Sequence, residues 1–153
     1  VNATNPNIET IRNSIVPTQL CQVKYNTSYA PDFGVFEIGR VAKGLKSDGL
    51  VDEHKMLAIT LFSKTKSVEK LYFELRDMLA TFTDNIKHKS LDYAPAAKAH
   101  SYEHPRNLNK IICDGRELGT IGIVHPVVSK KLDKKAFYTK EVFHIPFVLM
   151  LSL

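Results

Sequence analysis

Hydrophobic positions along this chain fall into blocks with two different periods. Across SVEKLYFELRDMLATF (67–82), Val68, Leu71, Tyr72, Leu75, Leu79 and Phe82 recur at helical spacing and predict one apolar stripe. Ser67 stands where an N-cap belongs, and Glu69 lies in the first turn, where the helix dipole favours a carboxylate. MLAITLFS (56–63) is instead a continuous apolar run of strand length and predicts a buried strand. FGVFEIGRV (33–41), with Val35, Phe36, Ile38 and Val41, predicts another strand. The intervening KGLKSDGLVDEH (43–54) mixes charges with two glycines and reads as a surface loop.

Toward the N-terminus, Pro17 suits the first turn of a short helix, TQLCQVKYN, with Ser14 in its entry and Leu20, Val23 and Lys24 on one side. NIETIRNS reads as a turn or short helix leading into it. Residues 86–102 are mixed and polar, a strand with loop. Two strands, Asn107–Cys113 and Leu118–Val124, then meet at Asp114-Gly115, the strongest short hairpin signal in the chain. Pro126 can open a short helix, VVSKKLD, and a last strand is expected from Tyr138 to Ile145 and on toward the C-terminus. Helix, strand, strand, helix and then hairpin-connected strands describe an α+β domain, a largely antiparallel sheet flanked by helices.

At 153 residues, 44% hydrophobic and 24% charged, the composition is that of one ordinary globular domain spanning 1–153. No apolar run approaches the roughly 20 residues of a membrane span. The chain begins with Val1 and shows no signal peptide, so a cytoplasmic fragment, cut from a longer chain at the start of a domain, is expected. Cys21 and Cys113 sit in the apolar segments QLCQV and KIICDG and read as buried, reduced thiols. The net charge of +5 would suit a nucleic acid. However, the lysines interleave with acids, as in SKKLDKKAFYTKE, which reads as a solvated surface rather than an RNA patch.

Candidate chemistry concentrates in EHPRNLNKIICDGRELGTIGIVHP (103–126), where two His-Pro pairs bracket the hairpin. With Asp114-Gly115 as a two-residue turn, paired positions place His104 opposite His125 on one face. Two imidazoles so placed are metal-ligand candidates, with His100 and Glu103 as further donors, but a compact tetrahedral set is missing. The same register sets Ile112 against Glu117 and Lys110 against Gly119, which leaves neither face cleanly apolar. Histidines that end strands, with Pro105 and Pro126 closing the ladder, account for the pattern without a metal. Cys113 with His104 or His125 would in principle make a nucleophile pair, but a cysteine in an apolar strand beside a turn reads as an inert thiol. Neither GxGxxG nor GxxxxGK[ST] occurs, and Glu37, Asp48 and Asp114 have no acid/base spacing. Residue chemistry alone thus supports an α+β domain and no activity.

Two stretches nevertheless resemble one family. NPNIETIRNSIVPTQLCQVKYN followed by VFEIGRV is similar to the phenylalanyl-tRNA synthetase β chain, where NP precedes an LRxSLLPGLL-type segment, an Asn and LFEIGRVF. HPRNLNKIICDGRELGTIGIVHPVV is similar to that family's HPxRxAxIxxDGxxIGxIGxxHPxV. The resemblance implies a class II aminoacyl-tRNA synthetase core: an antiparallel sheet with flanking helices, catalytic-like but without catalysis. It implies an α chain that holds phenylalanine and ATP, an α2β2 heterotetramer, and tRNA as a partner of the whole complex. No cofactor is expected in this fragment, with ATP and Mg held elsewhere in the full enzyme, and tRNA-reading and editing parts outside it. Class II sites use an Arg-x-Glu after the strand corresponding to FEIGRV; here AKGLKSDG follows. The implied roles are structural: Arg12, Pro17 and Asn26 organise the N-terminal segment, and Glu37, Gly39 and Arg40 fix the strand exit. Gly115, Gly119 and Gly122 permit the turn and close packing, while His104 and His125 end strands. PTQL replaces the family's PGLL, IRNSIV its LRxSLL, and VAKG its VF. Such departures would also fit a stand-alone paralogue that binds RNA or protein.

Overall fold

A computed structural model describes residues 11–87, 90–132 and 147–152. Among the described residues three helices, α1 (Val16–Asn26), α2 (Val68–Lys87) and α3 (Pro126–Leu132), sandwich one six-stranded sheet. Its strands are β1 (Asp32–Leu45), β2 (Val51–Ser63), β3 (Asp92–Pro95), β4 (Glu103–Cys113), β5 (Arg116–Val124) and β6 (Phe147–Ser152). They lie in the order β1-β2-β6-β5-β4-β3, and every neighbouring pair is antiparallel. The expected architecture is therefore present. The strand expected at Tyr138–Ile145 lies outside the described residues, and β6 corresponds to its continuation.

Sheet parity divides the core. Leu57 and Leu61 of β2, Ile111 of β4 and Ile121 and Ile123 of β5 face α2 and pack on Leu71, Leu75 and Leu79. That row follows i, i+4, i+8, and its next step is the buried Thr83; Phe82, which the stripe was expected to include, remains 42% exposed. Ser67 caps α2 as expected, its Oγ accepting from the Lys70 N–H at 3.2 Å. On the opposite face, Ile15 joins Val41, Met56 and Ala58, while Val16 and Leu20 pack with Val124 and Leu132 of α3. At the edge strand β1 the apolar cover thins, leaving Phe36 75% and Ile38 52% exposed.

Two expectations fail for identifiable reasons. Residues 43–45 and 51–54, read as loop, continue β1 and β2, and only the turn Lys46–Leu50 separates them. Both faces of the hairpin are solvated beyond the helices, so the apolar alternation that marks a half-buried strand is absent there although the ladder continues. Cys113 is buried, but Cys21 is exposed. α1 turns Val16, Gln19, Leu20 and Val23 inward, and Cys21 falls on the other side of the helix. The same geometry leaves Lys24 outside the buried stripe.

Candidate functional site

The residues of the first motif come together in a clamp on β1. Segment 11–15 crosses the strand exit, where the Arg12 carbonyl accepts from Ala42 N–H at 3.0 Å. Arg12 Nε donates to the Arg40 carbonyl at 3.1 Å, and its Nη1 meets Glu37 Oε1 at 2.6 Å. Gly39 completes the arrangement, since a Cβ there would stand 2.3 Å from Arg12 Nη2. Arg40 points elsewhere and pairs with Glu53 at 3.1 Å on the exposed hairpin. Pro17 occupies the first turn of α1, as expected, although the helix begins at Val16 with Ile15 in the cap position. Ser14 assists by accepting the Val16 N–H at 3.2 Å. Asn26 closes the helix: its Nδ2 donates to the Gln22 carbonyl at 2.9 Å, and its own carbonyl accepts from Tyr29 and Ala30.

Gln19 anchors α1 to the sheet. It is 2% exposed, donates through Nε2 to the Ala58 carbonyl at 2.8 Å and accepts through Oε1 from the Thr60 hydroxyl at 2.8 Å. Its sequence signal was only a polar residue where the family pattern has leucine. The partner threonine, 41 positions away, could not be found from spacing.

The second motif does not bring its histidines face to face. Asp114 (φ 51°) and Gly115 (φ 72°) form the turn, and Cys113 and Ile112 pair with Arg116 and Glu117 as the arithmetic requires. A bulge then shifts Ile111 onto Gly119 and Lys110 onto Thr120, and a second shift separates Leu108–Gly122 from Glu103–Val124. His104 and His125 are thus out of register, and the direct pairing is corrected. Their imidazoles serve the backbone instead. His104 Nδ1 accepts from Arg106 and Asn107 N–H groups, both at 3.1 Å, and holds the bulge. His125 Nδ1 accepts from Val127 N–H at 3.2 Å and caps α3, with Pro126 in the first turn. All three bonds need a lone pair at Nδ1, and so the tautomer with its hydrogen on Nε2.

The other donors considered for a metal are committed too. Glu103, buried, accepts through Oε2 from the Ala99 and His100 N–H groups at 2.8 and 2.7 Å. The His100 ring stacks on Tyr102 at 5.0 Å. The Tyr102 hydroxyl lies 3.0 Å from Ser14 Oγ, and burial pushes its pKa up to about 12 against the opposing effect of that hydrogen bond. Among the described residues, no three His, Cys, Asp or Glu side chains gather where a metal could be held. Cys113 lies at the turn end of β4 while His104 lies near its start, about 30 Å away at strand rise, so no nucleophile pair forms.

Replacing His125 by alanine removes the side-chain acceptor of the Val127 N–H at the α3 entry and is expected to cost about 1 kcal/mol. His125→Asn, which retains a short acceptor, is expected to recover most of that. Thermal unfolding of the two variants checks both.

Between α1 and the sheet remains a cavity of about 10 Å³, lined by Val16, Tyr102, Leu108, Thr120, Gly122 and Val124 among others. That is room for one water at most. The sequence profile described as "Phenylalanyl tRNA synthetase beta chain CLM domain" matches residues 1–142. The chain belongs to that family. The phenylalanine–tRNA ligase β subunit of Thermococcus gammatolerans is 28% identical over 137 residues, covering 85% of this chain and 22% of that one. The β subunit of Listeria monocytogenes serovar 1/2a is 28% identical over 143 residues, covering 86% and 17%. This chain thus spans about a fifth of the length of the curated relatives it matches. Among solved structures, PylSc, a pyrrolysyl-tRNA synthetase from Desulfitobacterium hafniense, superposes with a TM-score of 0.66 at 15% identity, over 92% of this chain and 46% of that one. That likeness shows the fold, an antiparallel sheet flanked by helices like a class II synthetase core, and the β-chain family rests on the sequence profile.

Proposed function

We propose that this chain is a non-catalytic core domain of a phenylalanine–tRNA ligase β chain, supporting assembly of the cytoplasmic α/β enzyme that attaches phenylalanine to its tRNA with ATP. The observation that carries this reading is the closed space above the sheet. Ile15 and Gln19 occupy the face beside Val41, Met56 and Ala58, and the adjoining cavity of about 10 Å³ cannot admit an amino acid or a nucleotide. Arg12, a cation that could face a phosphate, is spent on Glu37 and the Arg40 carbonyl. The continuation of β1 offers Lys43, whose Nζ lies 3.5 Å from the Asn13 carbonyl, in place of an Arg-x-Glu pair. On this reading phenylalanine, ATP and Mg bind to the α chain, tRNA binds to the whole complex, and the β-chain fold persists as a scaffold and subunit contact.

Titration calorimetry of the chain with phenylalanine and with ATP–Mg is expected to show no binding up to millimolar ligand. Micromolar affinity for either would sink the proposal. Co-elution with the α chain in gel filtration is the complementary result, and a stand-alone paralogue would elute without it.

A further inference from the structure

We draw no further inference here: the strongest candidate, the exposed apolar patch of Phe36 and Ile38 on edge strand β1, set on the sheet face that α2 covers over β2, is an unpartnered apolar face, and nothing among the described residues shows what covers it.

Discussion

Gly122→Ala is expected to destabilise the chain by about 3 kcal/mol, lowering the melting temperature by roughly 6–12 °C. A Cβ at this position would stand 2.7 Å from the Asn107 carbonyl oxygen, 2.7 Å from Leu108 Cδ1 and 3.2 Å from Leu108 Cα. Two of those atoms belong to backbone and cannot rotate away. Relief would require β4 to move off β5 at the edge of the second register shift, where Leu108 pairs with Gly122. The comparison with Gly115→Ala is informative. That glycine sits in open space at φ 72°, so its substitution strains only the turn, at a cost of about 1 kcal/mol. Differential scanning calorimetry on the pair should rank Gly122→Ala as the more damaging. Equal effects would mean that β4 yields readily and that the close approach is not what holds its bulge.

Gln19→Ala is expected to cost about 2–4 kcal/mol, because it both opens a cavity beneath α1 and strips the buried Thr60 hydroxyl of its acceptor. The two contributions separate in a double-mutant cycle. Gln19→Leu restores apolar volume but leaves Thr60 Oγ1 unpaired, and is expected to cost about 1–2 kcal/mol. Adding Thr60→Val removes the orphaned hydroxyl and is expected to return stability to within about 1 kcal/mol of the parent. The Ala58 carbonyl tolerates the loss of its Gln19 bond, since β2 is flanked by both β1 and β6 and retains its ladder. A double variant as unstable as the sum of the singles would show that Gln19 and Thr60 are not energetically coupled. Urea denaturation with matched m-values provides the measurement.

The clamp and the hairpin show what the residues of the two motifs do in this fold. In the clamp on β1, the Arg12 guanidinium fills the space a Cβ at Gly39 would need, and one ion pair joins Glu37 and Arg12 at the strand exit. In the hairpin, the histidines are backbone acceptors at the two places where the chain departs from regular pairing. A metalloenzyme would spend the same residue types on an ion. Here their lone pairs are directed at Arg106, Asn107 and Val127 N–H groups.

What was legible in the sequence is what local physics controls. The apolar stripe of α2, the N-cap at Ser67, the proline opening of α1 and the Asp114-Gly115 turn depend on neighbours within a turn of helix or hairpin, and each stands where its residues place it. The antiparallel α+β class followed from their order, and the family from two spaced motifs. Tertiary structure alone decided the rest. β6, far along the chain, inserts between β2 and β5 because the pairing of those backbones is non-local. Both bulges in β4 depend on what β5 and the His104 ring supply, so the arithmetic held for two residue pairs beyond the turn and then slipped. Gln19 became a buried anchor only when α1 settled over Thr60. Packing put the acids of α2 on one face of the sheet and set α1 and α3, whose described residues include no carboxylate, on the other. Spacing along a sequence carries geometry over a few residues, and beyond that distance only the fold says which charges, rings and hydroxyls meet.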